Sequence, residues 1–148
     1  MNEVIAHDLS VTTAEWLLQT HSTNPLLRPE TIRDAMNAFQ VRQPANDSLF
    51  TVTRVSRRLW TAQGMPLNHD PAVLVRTQDL PPVFEENSCL YLFGRETFLR
   101  RRNRIGERPQ LYEIPADEAW DIDEETDLEL VEFLLERRHT RPRAEGSA

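Results

Sequence analysis

An α/β fold is what the sequence predicts, and three consecutive features predict it. Trp16 to Thr20 is a short apolar run, His21 to Asn24 is a polar loop, and a proline-initiated stretch with helical apolar spacing follows. Strand, loop and amphipathic helix in that order make the unit whose ligand sites lie at the carboxyl ends of strands, which is where Gln19 to Asn24 fall.

Met1 to Leu9 reads as the tail of a helix that precedes this unit. In the helix after the loop, Pro29 occupies a first turn, where its missing N–H is no loss, and Ile32, Ala35, Met36 and Phe39 recur at i, i+3, i+4 and i+7. Val41 to Asp47 is a turn-rich connection, and Leu49 to Val55 alternates as a strand does. From Ser56 to Val83 the pattern loosens around Gly64 and four prolines, which predicts a small β-excursion from the main domain. Cys89 to Phe93 reads as a central strand, Arg95 to Arg102 as a short helix and Gln110 to Ile114 as a further strand. The last helix spans roughly Glu124 to Arg138. Its stripe is Leu128, Val131, Leu134 and Leu135, with acids in the first turn and arginines in the last to match the macrodipole. The polar stretch from His139 to Ala148 is expected to be disordered, so residues 1–138 form one domain.

Composition excludes several classes. A net charge of -7 argues against nucleic-acid binding, which rests on a basic surface. No run approaches the roughly 18 apolar residues of a membrane span, and the opening MNEVIAHD lacks the features of a signal peptide, so a soluble cytoplasmic protein is expected. The lone Cys89 cannot form an internal disulfide and reads as a small buried hydrophobe. All 17 basic residues are arginine, so no lysine is present for a Schiff base or a Walker A loop. Four glycines draw no phosphate cradle, and the histidines His7, His21, His69 and His139 show no ligand spacing. The arginines between Arg100 and Arg108 read first as a solvated face, with contact to an anionic substrate or partner as the functional alternative.

Asp121-Ile122-Asp123 is the sharpest local feature. At the end of a strand, both carboxylates would point to one face and suit Mg²⁺; by spacing alone, Asp123 as a helix cap and Asp121 as surface charge is the plainer reading. The segment Tyr112 to Leu135 around it resembles the C-terminal signature of CMP-sugar synthetases, the acylneuraminate cytidylyltransferase-like family. Gln19 to Arg28 (QTHSTNPLLR) resembles that family's segment beginning with Gln and ending Pro-Leu-Arg, and Arg76 to Tyr91 resembles its sugar-contacting stretch.

The resemblance implies a Rossmann-like nucleotidyltransferase domain with a mainly parallel sheet. It implies transfer of CMP from CTP to an acidic, sialic-acid-like sugar with release of pyrophosphate. Asp121 and Asp123 would be the catalytic pair holding Mg²⁺, with Gln19, Arg76 and Asn87 binding the sugar. Arg76 is the candidate for its carboxylate, since a guanidinium meets a carboxylate bidentately. The 56–83 excursion would serve a homodimer. Relatives begin with a strand and an Ala-Arg-Gly-Gly-Ser-Lys-type loop around the nucleotide phosphates, and neither lies in this sequence. The domain is therefore expected to be N-terminally truncated and inactive alone; the alternative is a non-catalytic binding or oligomerising remnant. Relatives also carry Asn-Gly where this chain has Asn87-Ser88.

Overall fold

The computed structural model describes residues 1–140, and the part of the expected disordered tail after Thr140 lies outside the described residues. The helices are α1 (Asn2–Val11), α2 (Pro29–Arg42), α3 (Arg95–Arg101) and α4 (Glu125–Thr140). The strands are β1 (Trp16–Thr20), β2 (Ser48–Val55), β3 (Val83–Gly94) and β4 (Pro109–Glu113), in one sheet of order β1-β3-β2-β4. Pairings of β3 with β1 and with β2 are antiparallel, and β2 pairs with β4 in parallel. Three strands therefore share one direction and β3 opposes them from inside the sheet.

The apolar run of β3 follows from burial on both faces. Tyr91 and Phe93 meet Ile5 and Leu9 of α1 and Phe98 of α3, whereas Leu90 and Leu92 meet Ala35 and Phe39 of α2 on the other face. Trp16 of β1 caps the α2 side with its ring 5.1 Å from that of Phe39. The stripe of α4 is only partly covered: Val131 is buried, Leu134 and Leu135 are half-buried, and Leu128 is exposed.

Between β2 and β3 the chain makes its excursion, built from turns, the isolated bridge Trp60–Pro66 and a 3-10 turn at Thr77–Asp79. Asn68 holds it together. Its side-chain amide donates to Arg57 O at 2.8 Å and its oxygen accepts from Leu59 N at 2.9 Å.

Candidate active site

Gln19 stands opposite Tyr91 across the β1–β3 ladder, so the two share a face at the carboxyl end of β1. Arg104 joins them. Its Nη1 donates to Gln19 Oε1 at 3.1 Å, and its guanidinium carbon lies 3.5 Å from the centre of the Tyr91 ring. His21 Nε2 lies 3.2 Å from Arg104 Nη1 and 3.4 Å from Gln19 Nε2. Both neighbours offer N–H groups to that nitrogen, which is placed to accept from them. The Tyr91 hydroxyl reaches Glu86 and, at 3.2 Å, Ser88 Oγ. Burial, and then the bond to Glu86, raise the phenol above its ordinary pKa.

The position of Arg104 depends on a turn fixed from the start of β2. Asp47 accepts the backbone N–H groups of Glu107 and Arg108, each at 3.0 Å, and Ser48 Oγ accepts that of Gly106 at 2.8 Å. A Cβ on Gly106 would stand 2.1 Å from Asp47 Oδ1, so the turn closes only on glycine. The neighbouring arginines behave as a solvated face: Arg100 and Arg101 approach Glu107, and Arg102 pairs with the exposed Glu3. Nothing in the sequence separates Arg104 from that run; only the folded turn at Gly106 does.

Asn87 sits in a bulge. The β2–β3 register shifts between Phe50 and Val52, and Ser88 takes the left-handed conformation at φ 57. The buried Thr51 hydroxyl fills the gap in the ladder, donating to Asn87 Oδ1 at 2.7 Å and accepting from Leu90 N at 3.0 Å. Asn87 Oδ1 also accepts from Cys89 N at 3.3 Å, while Asn87 Nδ2 is buried without a partner. Cys89 itself is fully buried. Burial, then the charges of Asp121 and Glu118, push its thiol up to about 12, so it is no nucleophile at neutral pH.

The Pro25 to Arg28 segment is clamped to the chain just before the aspartate pair. Buried Glu118 accepts the Arg28 N–H at 3.0 Å, and Arg138 of α4 donates to Leu26 O at 2.6 Å and to Asp117 O at 2.8 Å. Asn24 Nδ2 donates to Trp120 O at 3.3 Å, and Ile122 N donates to Thr23 O at 2.9 Å. The loop after β1 and the aspartate pair are thus laid against each other.

The pair is not at a strand end: residues 119–123 are irregular, and Ile122 makes its hydrogen bond to the loop instead of a ladder. Nor does the Asp123 side chain cap α4. Asp127 does so, its Oδ2 accepting Glu124 N at 2.9 Å and Asp123 N at 3.2 Å, the reach-back half of a capping box. Asp123 is left exposed, and Asp121 Oδ1 is buried with no partner. A buried carboxylate oxygen without a donor is costly, and a hard cation fits it. Among the described residues no three His, Cys, Asp or Glu side chains gather into a metal cluster. An ion here would complete its shell from water or phosphate, as Mg²⁺ commonly does.

Arg76 stands apart from these groups. It lies on the excursion, 74% exposed at the side chain, with Nε 2.7 Å from Asp79 Oδ2. Beside the aspartate segment, a cleft of about 430 Å³ opens between the end of β2 and Trp120, with Arg54, Arg57 and Glu85 in its wall.

Residues 1–140 match the family model described as Cytidylyltransferase. The chain is 24% identical over 128 residues to post-translational flagellin modification protein B of Campylobacter coli, covering 83% of this chain and 54% of that protein. It is 30% identical over 66 residues to CMP-N,N'-diacetyllegionaminic acid synthase of Campylobacter jejuni, covering 45% of this chain and 28% of that one. The chain thus spans about half the length of the first of these relatives and less of the second. The fold matches the crystal structure of 4-diphosphocytidyl-2C-methyl-D-erythritol synthase from Anaerococcus prevotii with a TM-score of 0.66 at 11% identity, over 92% of this chain and 66% of that one. Among the described residues no helix is long and apolar enough to cross a membrane. On the match along its described length, the chain belongs to the cytidylyltransferase family.

Proposed function

We propose that the chain forms the sugar-facing and cation-holding part of a cytidylyltransferase that transfers CMP from CTP to an acidic, sialic-acid-like sugar. The observation that carries this reading is the 2.9 Å bond from Ile122 N to Thr23 O, which joins the aspartate pair to the segment after Gln19. In the reaction, the sugar hydroxyl oxygen bonds to the α-phosphorus as the bond to the bridging oxygen breaks and pyrophosphate leaves. Asp121 and Asp123 would hold Mg²⁺, which when bound supplies charge neutralisation at the phosphates. Gln19, Asn87 and Arg76 are the proposed sugar contacts. The free Asn87 Nδ2 supports a donor role, and the contact of Arg104 with Gln19 adds a second arginine able to meet a carboxylate. The name of the Campylobacter jejuni relative supports an acidic sugar as the acceptor class.

The phosphates need a cradle that this sequence does not contain, so activity requires a second segment. A homodimer across the excursion accords with its exposed apolar groups: Trp60 is 51%, Met65 62% and Leu74 95% exposed. Sedimentation as a monomer of about 17 kDa at tens of micromolar would remove that proposal. The function is tested by fusing the amino-terminal segment of the Campylobacter coli relative to this chain and assaying pyrophosphate release from CTP and Mg²⁺ with acidic and neutral sugars. Release that depends on the acidic sugar, and that Asp121→Asn abolishes, is expected. A folded fusion that binds neither CTP nor sugar would mean a non-catalytic remnant.

A further inference from the structure

Two side-chain oxygens near the loop after β1 are buried with no partner among the described residues, and they belong to stretches of chain that are bonded to each other. One is Asp121 Oδ1; the other is Asn24 Oδ1, on a residue only 4% exposed. Two hydrogen bonds hold these stretches together on either side of Asp121. Asn24 Nδ2 donates to Trp120 O at 3.3 Å, and Ile122 N donates to Thr23 O at 2.9 Å. An ionised carboxylate and an amide oxygen are both acceptors, so neither can satisfy the other.

The Asn24 amide is fixed in its orientation. A carbonyl only accepts, so the group that meets Trp120 O has to be the NH₂, and the amide oxygen is left on the other side. The backbone is fixed as well: Asn24 N donates to His21 O at 3.2 Å, and its carbonyl accepts from Leu27 N at 3.3 Å. Two residues on, Arg138 of α4 grips Leu26 O at 2.6 Å. A buried acceptor held in place without a donor is costly, and a bound group that answers it offsets the cost. A hard cation answers both oxygens at once, since carboxylate and side-chain amide oxygens are among the ligands such ions take.

We infer that Asn24 Oδ1 is a ligand of the divalent cation assigned to Asp121 and Asp123, the neutral member of a three-residue set drawn from two segments. The inference rests on the proposed function for the cation itself. It adds a coupling: the loop that carries Gln19 then holds the cation as well as the sugar.

The probe is Mn²⁺, a paramagnetic ion that takes oxygen ligands as Mg²⁺ does, titrated into this chain without nucleotide or sugar and followed by water proton relaxation. Saturable binding is expected, weakened roughly tenfold or more by Asp121→Asn and by Asn24→Leu. Asn24→Asp separates a ligand from a structural prop. It removes the NH₂ that donates to Trp120 O, so both roles expect a lower melting temperature in chelator. A prop expects weaker Mn²⁺ binding as well, whereas a ligand that gains a charge expects binding about tenfold tighter and a larger rise in melting temperature when Mn²⁺ is added. In the unmodified chain the Asn24 side-chain carbonyl resonance should shift as Mg²⁺ saturates, which decides the matter if the variants fail to fold. A folded Asn24→Asp chain that binds Mn²⁺ no more tightly than the parent, a folded Asn24→Leu chain that binds as the parent does, or an unshifted carbonyl resonance would each overturn the inference. If Asp121→Asn still abolished binding in any of these cases, the cation assignment would stand without Asn24. Absence of saturable Mn²⁺ binding in the parent would overturn both.

Discussion

The guanidinium carbon of Arg104 lies 3.5 Å from the centre of the Tyr91 ring, joining the loop after α3 to the middle of β3. A planar cation can stack on a ring and still present N–H groups at its rim, which a lysine cannot do. In the complemented enzyme, Arg104→Lys should raise the KM for the acidic sugar about tenfold, near 1.4 kcal/mol, with the KM for CTP unchanged. Steady-state kinetics with each substrate varied in turn would check it; an unchanged sugar KM would return Arg104 to a purely packing role. The same readout on Arg76→Ala tests whether the excursion also meets the sugar.

Gly106 tolerates no side chain while Asp47 keeps its place, since the added carbon would overlap Asp47 Oδ1. Gly106→Ala should cost about 1–3 kcal/mol, the usual range for forcing atoms into a packed site. It should also release the loop that carries Arg104. Urea unfolding would give the first effect, and sugar KM would give the second. A variant as stable as the parent would show that the turn can relax without loss.

Asp47 also gives the fold a pH dependence. Burial alone would raise its pKa, but the backbone N–H groups of Glu107 and Arg108 and the Arg108 charge outweigh it and hold the group below its ordinary 3.8. A carboxylate with a lowered folded-state pKa contributes stability that is fully present above its unfolded pKa and is lost as pH falls through the folded one. Asp47→Asn should therefore be less stable than the parent at pH 6, and the gap should narrow below about pH 4. Denaturation midpoints from pH 6 to 2.5 would test this; a gap that stays constant across the range would assign the loss to geometry instead of charge.

How much of this was legible depended on whether burial or a distant contact set the local structure. WLLQT is β1 to the residue, and CLYLF announces the doubly covered half of β3, because apolar runs follow burial. The other half is not legible as strand, since the excursion is expected to run to Val83 and the strand to start only at Cys89: Val83 to Ser88 is mostly polar and at most half-buried, and the bulge at Asn87-Ser88 breaks its period of two. In the site, the aspartate pair was visible by resemblance, whereas Thr23, which accepts the Ile122 N–H, carries no signal of its own within the Gln19 segment. Nor was Arg104 visible, since only the folded turn on Asp47 singles it out from the arginines around it.

Ser88 holds a positive φ that glycine adopts freely and a residue with a Cβ does not. Its hydroxyl is a second partner for the Tyr91 phenol, which keeps Glu86 without it. Ser88→Gly should therefore leave stability equal or raise it by up to about 1 kcal/mol. A measured loss in chemical denaturation would mean that the Ser88 hydroxyl contributes more than the strained backbone costs.

Asp123, just before α4, and Asp127, in its first turn, do different work. Because Asp127 Oδ2 takes the N–H groups of both Glu124 and Asp123, Asp127→Ala should cost about 1 kcal/mol of stability through the lost cap. Asp123 makes no such contact with its side chain, so Asp123→Asn should leave the melting temperature nearly unchanged. In the complemented enzyme the order reverses. Replacing one of two proposed Mg²⁺ carboxylates with a neutral amide should lower turnover by about 10²-fold, near 2.7 kcal/mol of barrier, and raise the Mg²⁺ concentration needed for half-maximal rate. Asp127→Ala should keep most of its activity below its melting transition. Measuring melting temperature, turnover and Mg²⁺ dependence for both variants separates the roles. Full activity of Asp123→Asn at ordinary Mg²⁺ would remove it from the cation site and leave Asp121, with its buried and unpartnered oxygen, as the remaining carboxylate of the pair.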